Sequence, residues 1–178
     1  MNNELERIIE FLDDAQTYYL ATVEGDQPRV RPFGTALVYN DKLYIQTGKI
    51  KAVSRQISAN PKVELCAFKD GKWLRISGKL VNDNTREVKT LMLEKMPVLR
   101  NMYNEDDGNM QMLYFKDATV TFSSFSSAPE TFKFWRIIYL SINLIQYFLY
   151  FFTELIEIPI YIVDNISTEV FRKWKCLI

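Results

Sequence analysis

The chain has 178 residues, with 22 basic side chains, 22 acidic side chains and no histidine, and this length suffices for one domain with a hydrophobic core. The zero net charge gives no indication of nucleic-acid binding, and the lack of histidine excludes a Ser-His-Asp triad, a histidine general base and an ordinary zinc site. The two cysteines, Cys66 and Cys176, form no CxxC motif and predict no metal site, so we expect any chemistry to need a cofactor. Cys66 lies in an apolar run and is predicted to be a buried free thiol, which fits a reducing compartment.

The first predicted element is a helix over residues 4–14, because its apolar side chains follow the i, i+3, i+4, i+7 pattern. This acidic, amphipathic start is unlike a secretory signal. Short strands come next and lead into a short helix that ends at Asn60-Pro61. The strands are predicted over residues 18–23, 29–39 (one long strand, bent near Pro32 and Gly34) and 43–47, and the helix over residues 52–59.

After this helix, a hairpin is predicted from strands 63–68 and 73–81, joined by Lys69-Asp70-Gly71-Lys72. A capping box at residues 84–87 begins a helix that Pro97 interrupts. A polar loop over residues 104–108 precedes strands at 112–115 and 118–122. About six short antiparallel strands with a few helices predict a mainly β (α+β) fold, a small closed barrel.

Cations cluster where the strand over residues 43–47 gives way to the short helix. Residues 47–51, Thr-Gly-Lys-Ile-Lys, form a glycine turn with two lysines, and Arg29 and Arg31 share one face of the preceding strand. Because N–H groups at a helix start favour an anion, and the Thr47 hydroxyl adds a donor, a phosphate would be well held here. The alternative is a solvated basic rim, since neither GxxxxGK[ST] nor GxGxxG is present.

Trp73 and Arg75 form a second candidate feature. They alternate with Leu74 and Ile76, so both face one side of their strand. A tryptophan on a strand can simply belong to the core, but an arginine beside it on the same face favours a ligand-binding wall.

Three ordered stretches, TVEGDQPRVRPFG, LYIQTGKIKAVSRQISANPKVEL and WLRISGKL, resemble the FMN-binding split barrel of the pyridoxamine-5′-phosphate-oxidase-like superfamily. The nearest branch is the nitroimidazole-resistance (Nim)-like group. The resemblance covers residues 1–134, which would form the FMN-binding split barrel with flanking helices. It implies a homodimer with two equivalent sites between the subunits.

The resemblance also implies which residues bind FMN. These are Arg31, Pro32 and Phe33 beside the flavin, Gln46 and Thr47 at the end of the next strand, Lys49, Lys51 and Ser54 around the phosphate, and Trp73 and Arg75 across the dimer interface.

The function that this resemblance implies is an FMN-dependent oxidoreductase. It would pass hydride from NAD(P)H through FMN to a small molecule such as a nitroaromatic, with no catalytic residue or metal assigned. The expected compartment is the cytoplasm, because the N-terminus is unlike a secretory signal and a free thiol fits a reducing environment. A non-catalytic flavin-binding or stress-response module is the alternative, and a deazaflavin in place of FMN also stays open. Vitamin B6 synthesis is not expected, because genuine oxidases of this kind carry a C-terminal segment with arginine and histidine, and this chain has no histidine.

Residues 135–178 form a separate hydrophobic extension, predicted to be helical. The run over residues 137–153 carries no charge and has a length at the lower limit of a membrane span, although its Ser, Asn and Gln weaken that interpretation. A membrane-spanning or interfacial helix, a helix packed on the barrel or its dimer mate, and a non-native or poorly ordered extension are the alternatives. Lys133 and Arg136 before the run predict a cytoplasmic barrel if the extension does span a membrane.

Overall fold

The structure, a computed structural model, describes residues 3–134. The predicted extension over residues 135–178 and Cys176 within it lie outside the described residues. Among residues 3–134, no helix has both the length and the apolar character needed to cross a membrane.

The described residues form a mainly β, α+β fold, as predicted. In chain order the elements are α1 (Asn3–Ala15), β1 (Tyr18–Glu24), β2 (Gln27–Phe33), β3 (Leu37–Tyr39), β4 (Lys42–Gly48), α2 (Ala52–Ala59), β5 (Lys62–Lys69), β6 (Lys72–Asn82), α3 (Arg86–Lys95), a 3-10 helix (Pro97–Asn101), β7 (Met110–Ser124) and β8 (Glu130–Phe134).

All eight strands belong to one antiparallel sheet with the order β2-β1-β5-β6-β7-β4-β3, and β8 pairs with β7. Within residues 3–134 the strand pairing ends at β2 and β3, so the barrel is split, as the resemblance implied, and not closed, as the number of strands alone had predicted. The predicted single strand over residues 29–39 is also wrong. Its first part pairs with β1 and its last part with β4, so the chain has to cross between the two ends of the sheet at residues 34–36.

Gly34 permits this crossing. A Cβ atom at this position would lie 2.9 Å from the carbonyl oxygen of Gln16, which is too close for any other residue without a backbone shift.

The strands near the C-terminal end of the barrel are longer and more numerous than predicted. β7 is continuous where two strands were predicted, and β8 was not predicted at all. Opposite β7, the register of β6 shifts between Ser77 and Lys79, and Asp117 has a φ of 52°. This irregularity is a β-bulge, in which one extra residue bends the strand without ending it.

The predicted capping box at the start of α3 is wrong. Thr85 precedes α3 without a side-chain cap bond. The Asn84 side chain instead accepts a hydrogen bond through its Oδ1 from the Met112 N–H at 3.0 Å. Asn84 therefore ties the start of α3 to β7.

Two apolar clusters bury β4 from both sides. Leu43 and Ile45 face the barrel interior with the apolar face of α1, whereas Tyr44 faces a second cluster that includes Met92 of α3 and Met112. Because both faces of β4 are packed, the strand holds its last residues, which lead into the turn before α2, in a defined position.

Candidate functional site

Backbone hydrogen bonds hold the turn between β4 and α2. The Lys51 N–H donates to the Gly48 carbonyl oxygen at 3.0 Å, and the Lys49 N–H donates to the Asn109 carbonyl oxygen at 2.8 Å. The Ile50 N–H donates to Asn109 Oδ1 at 3.2 Å. The shape of this turn therefore depends on Asn109, which comes from the loop before β7.

Two exposed lysines, Lys49 and Lys51, flank this turn. Neither forms an ion pair with any residue from 3 to 134. Lys51 Nζ lies 5.9 Å from the ring centroid of Tyr103, and no side chain caps the N-terminus of α2. Unneutralised cations beside an uncapped helix start are complementary to an anion such as a phosphate.

Arg31 reaches from β2 towards α2. Its Nη1 donates to Thr22 Oγ1 at 2.7 Å and to the Leu20 carbonyl oxygen at 3.0 Å, and its Nη2 donates to Gln56 Oε1 at 2.5 Å. All of these acceptors are neutral. Partial burial lowers the pKa of the Arg31 guanidinium, and the charge of Arg29 lowers it further, but an arginine still remains protonated. Arg31 is therefore an oriented cation whose charge these acceptors do not cancel.

Arg29 lies on the same face of β2 but has a different environment. Its Nη2 lies 2.7 Å from Glu24 Oε2. A hydrogen bond from Gln56, followed by the bond and charge of Arg29, lowers the pKa of the Glu24 carboxyl. The charge of Arg29 is thus balanced, whereas Arg31, the two lysines of the turn and Arg55 form no ion pair among the described residues and are available to an anion. Arg55 Nη1 donates to the Ile50 carbonyl oxygen of the turn at 3.2 Å.

Thr47 and Gln111 place two unpaired polar atoms at one end of the barrel. Thr47 is 2% exposed and Gln111 is 8% exposed, and they are direct partners across β4 and β7. Among the described residues, neither Thr47 Oγ1 nor Gln111 Oε1 has a hydrogen-bond partner. Buried polar atoms are almost always paired in folded proteins, so this pair indicates room for a polar ligand group or a water molecule.

The other predicted residues near the turn have mixed roles. Gln46 is buried and donates through Nε2 to the Thr47 carbonyl oxygen at 2.8 Å. Phe33 is half-buried and stacks on Tyr18 with ring centroids 5.8 Å apart, whereas Pro32 is exposed. Ser54 is buried in the first turn of α2, directly after the lysines.

Trp73 and Arg75 share the outer face of β6, as their alternation predicted. Leu74 and Ile76 are buried in the core, while Trp73 is half-buried and Arg75 is exposed. Arg75 Nη2 lies 2.6 Å from Glu64 Oε1 on the neighbouring strand. Its charge is therefore balanced in the described chain.

Within one chain, Trp73 is far from the turn after β4. It pairs with Ser123 at one end of β7, whereas Thr47 pairs with Gln111 at the other end. The described chain thus brings Arg31, the lysine turn and Thr47 to one end of the barrel and leaves Trp73 and Arg75 elsewhere.

The outer face that carries Trp73 is exposed and partly apolar. Tyr19 is 54% exposed, Val30 67% and Phe68 59%, and these side chains come from adjacent strands. Cys66 lies on the same face as a free, half-buried thiol, so the prediction of a buried cysteine is wrong. Partial burial raises the pKa of the Cys66 thiol.

Sequence reasoning missed three residues that shape this end of the barrel: Gln56, Asn109 and Gln111. Gln56 follows the buried Val53 by three positions on α2, so helical spacing could have identified it. Asn109 and Gln111 meet the turn only because β4 pairs with β7, and no local pattern indicates that pairing.

A cavity of about 410 Å³ lies in a different place, between α1 and the hairpin of β7 and β8. Phe11, Phe122 and Ser124 line it, together with Arg7, which forms a bidentate pair with Glu130 at 2.9 and 2.7 Å. Its lining contains none of the predicted site residues. Across residues 3–134, no three His, Cys, Asp or Glu side chains are grouped as a metal site requires.

The comparisons with known proteins agree with this fold. The pyridoxamine 5′-phosphate oxidase family model matches residues 5–123. A NimC/NimA family protein from Clostridium acetobutylicum is 46% identical, and the alignment covers 72% of this chain and 90% of that protein with a TM-score of 0.69.

Two more distant structures show the fold alone. A pyridoxamine 5′-phosphate oxidase-related, FMN-binding protein from Nostoc punctiforme is 14% identical, with 75% of this chain and 97% of that one covered and a TM-score of 0.52. A haem-binding protein from Mycobacterium smegmatis is 10% identical, with 68% of this chain and 57% of that one covered and a TM-score of 0.54. No curated protein sequence matches the chain.

Proposed function

Because the chain belongs to the pyridoxamine 5′-phosphate oxidase family, we propose that its split barrel binds FMN, with the phosphate at the turn between β4 and α2. One observation carries this proposal. Arg31, Lys49 and Lys51 are three cations that no carboxylate pairs within residues 3–134, and they lie at the end of the barrel where α2 begins. A relative with the same fold is an FMN-binding protein.

The side chains at this end of the barrel fit a flavin phosphate. The two lysines supply positive charge, and the uncapped start of α2 supplies N–H donors. The unpartnered Thr47 hydroxyl can donate to a phosphate oxygen. Thr22 and Gln56 hold the Arg31 guanidinium in place, so its positive charge is already oriented before a ligand binds.

The proposed reaction is the reduction of a small acceptor by NAD(P)H. Bound FMN would supply the hydride-transfer chemistry, and the proposed acceptor is a small molecule such as a nitroaromatic. The chain's residues would bind and orient the cofactor and shield one side of it from water. Vitamin B6 synthesis is not proposed, because the chain lacks histidine altogether.

We further propose that two chains share each site. Trp73 and Arg75 of one subunit would reach the flavin held by the turn of the other subunit, since one chain keeps them at the opposite end of β7. The exposed outer face with Tyr19, Val30 and Phe68 supports this arrangement, because a second copy would cover it.

The absorption spectrum of the purified protein is the first test. A flavin spectrum, followed by mass analysis of the compound released on denaturation, would identify FMN and separate it from a deazaflavin. Rapid bleaching of the bound flavin by NADH or NADPH would favour the oxidoreductase. A yellow protein that neither donor bleaches would favour the non-catalytic flavin-binding module.

Removing the two lysines tests the phosphate site. The double variant Lys49→Ala/Lys51→Ala should weaken FMN binding by about 2–4 kcal/mol, taking about 1–2 kcal/mol for each charge-assisted contact. Riboflavin, which lacks the phosphate, should bind almost unchanged. Lys62→Ala, at an exposed position on β5, is the matched control. Equal losses for both flavins in the double variant would contradict the assignment.

A further inference from the structure

Gln111 at the start of β7 has an amide whose orientation is set and whose oxygen is unused. Its Nε2 donates to Asn82 Oδ1 at 3.0 Å, which directs the Oε1 atom away from Asn82. The residue is 8% exposed, and within residues 3–134 its Oε1 atom has no hydrogen-bond partner. A buried acceptor without a donor is costly, so this position is built to receive one.

The neighbours of Gln111 place this acceptor beside the proposed phosphate site. Gln111 is directly opposite Thr47, and such cross-strand pairs have Cβ atoms about 4.5–5.5 Å apart. Thr47 is 2% exposed, its Oγ1 is also without a partner among the described residues, and Gly48 and Lys49 follow it at once. Two unpaired buried atoms from adjacent strands thus border the turn that carries the lysines.

The chemistry of the two atoms differs. A hydroxyl such as that of Thr47 can donate or accept, whereas an amide oxygen can only accept. The oxygens of a phosphate dianion also only accept, so a phosphate cannot satisfy Gln111. Its partner has to bring an O–H or N–H donor. In a flavin nucleotide, the groups next to the phosphate are the hydroxyls of the ribityl chain, and the ring N–H lies at the far end of the molecule.

We infer that Gln111 is a further cofactor-binding residue, whose amide oxygen accepts a hydrogen bond from a ribityl hydroxyl of the flavin. This inference rests on the proposed function, because it assumes that the phosphate lies at the lysine turn. It assigns the ribityl chain to the β4 and β7 end of the barrel, between the lysines and Asn82. A buried water molecule bonded to Gln111 and Thr47 is the competing explanation.

The test compares three ligands on the wild-type protein and on Gln111→Met, which keeps the side-chain length and removes the amide. The ligands are FMN, riboflavin and lumiflavin, which has the flavin ring without the ribityl chain. Gln111→Met should lower the affinity for FMN and for riboflavin by the same factor, about tenfold, and leave the affinity for lumiflavin unchanged. The variant Lys49→Ala/Lys51→Ala should instead lower the affinity for FMN alone.

Retained lumiflavin binding shows that Gln111→Met is folded. A second variant, Gln111→Glu, keeps an acceptor oxygen and should bind riboflavin more tightly than Gln111→Met does. Unchanged riboflavin binding in Gln111→Met, equal losses for all three ligands, or equally weak riboflavin binding in both variants would each overturn the ribityl assignment. A wild-type protein that binds none of the three flavins would overturn the proposed function and the inference with it.

Discussion

Gln56 is the residue that orients Arg31. Its Oε1 accepts from Thr22 Oγ1 at 2.7 Å and from Arg31 Nη2 at 2.5 Å, and the side chain is 6% exposed. Together with Thr22 and the Leu20 carbonyl oxygen, this neutral amide sets the direction of Arg31 without a carboxylate. A carboxylate here would have cancelled the positive charge that the proposed phosphate needs.

We predict that Gln56→Leu loosens Arg31 and weakens the proposed phosphate site. Two buried donors would lose their acceptor, so the free energy of unfolding should fall by about 1–3 kcal/mol. FMN affinity should fall by about tenfold, with a smaller effect on riboflavin, as measured by flavin fluorescence titration. Gln56→Glu keeps an acceptor oxygen but adds a negative charge beside Arg31, so it should retain more of the stability than Gln56→Leu while still lowering FMN affinity. Unchanged FMN affinity in Gln56→Leu would show that Arg31 does not depend on Gln56.

Asp83 joins β6 to the second apolar cluster through a tyrosine. The buried Tyr44 O–H donates to Asp83 Oδ2 at 2.8 Å, and Lys42 Nζ lies 3.5 Å from the same oxygen. Desolvation raises the pKa of the Asp83 carboxyl. The hydrogen bonds from Tyr44 and the Thr85 N–H, together with the charge of Lys42, lower this pKa by more than desolvation raises it. The net pKa therefore lies below its ordinary value.

This direction sets the pH dependence that we predict. A carboxyl whose pKa is lowered by folding stabilises the protein above its unfolded pKa, and this contribution is lost as the pH falls through the folded pKa. The stability difference between wild type and Asp83→Asn should therefore be present at pH 7 and shrink below about pH 4. Urea unfolding at both pH values measures it, with Asp26→Asn in the exposed β1–β2 turn as control. A difference that does not change with pH would contradict the prediction.

At the scale of elements, the turn after β4 is crowded on one side. A Cβ atom at Gly48 would lie 2.9 Å from the Tyr103 hydroxyl oxygen and 3.2 Å from Asn109 Oδ1. The glycine is needed for this close approach, since the loop before β7 packs against the turn and bonds to it. The shape of the turn and the position of that loop are therefore coupled.

We predict that Gly48→Ala destabilises the protein by about 1–3 kcal/mol through this overpacking. Because the nearest atom is the Tyr103 hydroxyl, adding Tyr103→Phe should restore part of the loss. Thermal unfolding of the two single variants and the double variant measures the coupling. Additive effects in the double variant would mean that the crowding lies elsewhere.

Elements that depend on local pattern were predicted well. The helix over residues 52–59 has the predicted bounds, and the hairpin at Lys69–Lys72 forms with Asp70 and Gly71 at positive φ. Elements that depend on pairing with a strand elsewhere in the chain were predicted poorly. The break at residues 34–36 follows from the need to reach β4, and β8 exists because β7 offers an edge. The same limit applied to the site, where the cations were predicted but Gln56, Asn109 and Gln111 were not.

At the scale of the whole molecule, the proposed dimer can be tested by changing the outer face that a second chain would cover. We predict that residues 1–134 sediment as a dimer that binds flavin. Val30→Glu, at a position that is 67% exposed on β2, should give a monomer with weaker flavin binding, because it would bury an unpaired charge. Val98→Glu, at a 63% exposed position on the 3-10 helix, is the matched control and should stay dimeric. A flavin-bound monomer of the unaltered barrel would refute the shared site.

The extension over residues 135–178 has its own test. Its uncharged run over residues 137–153 is rich in Ile, Leu, Phe and Tyr, and each such side chain gains about 1.5–3 kcal/mol on full burial. If the run embeds in a bilayer, the full chain should sediment with membranes and resist a high-salt wash, since salt removes only electrostatic attachment. The truncated chain ending at Phe134 should stay in the supernatant. A detergent-free, monodisperse full chain would rule out the membrane interpretation.

The pairing of β4 with β7 has a consequence for the order in which a newly made chain acquires its site. Thr47 leaves the ribosome long before Gln111, and almost half of the barrel sequence lies between them. The β1–β2 and β5–β6 hairpins join neighbouring segments and can form early, whereas the β4–β7 pairing has to close a long loop first. The end of the barrel that holds the lysine turn is therefore completed late. A nascent chain would have no finished pocket to offer a flavin until synthesis has passed β7.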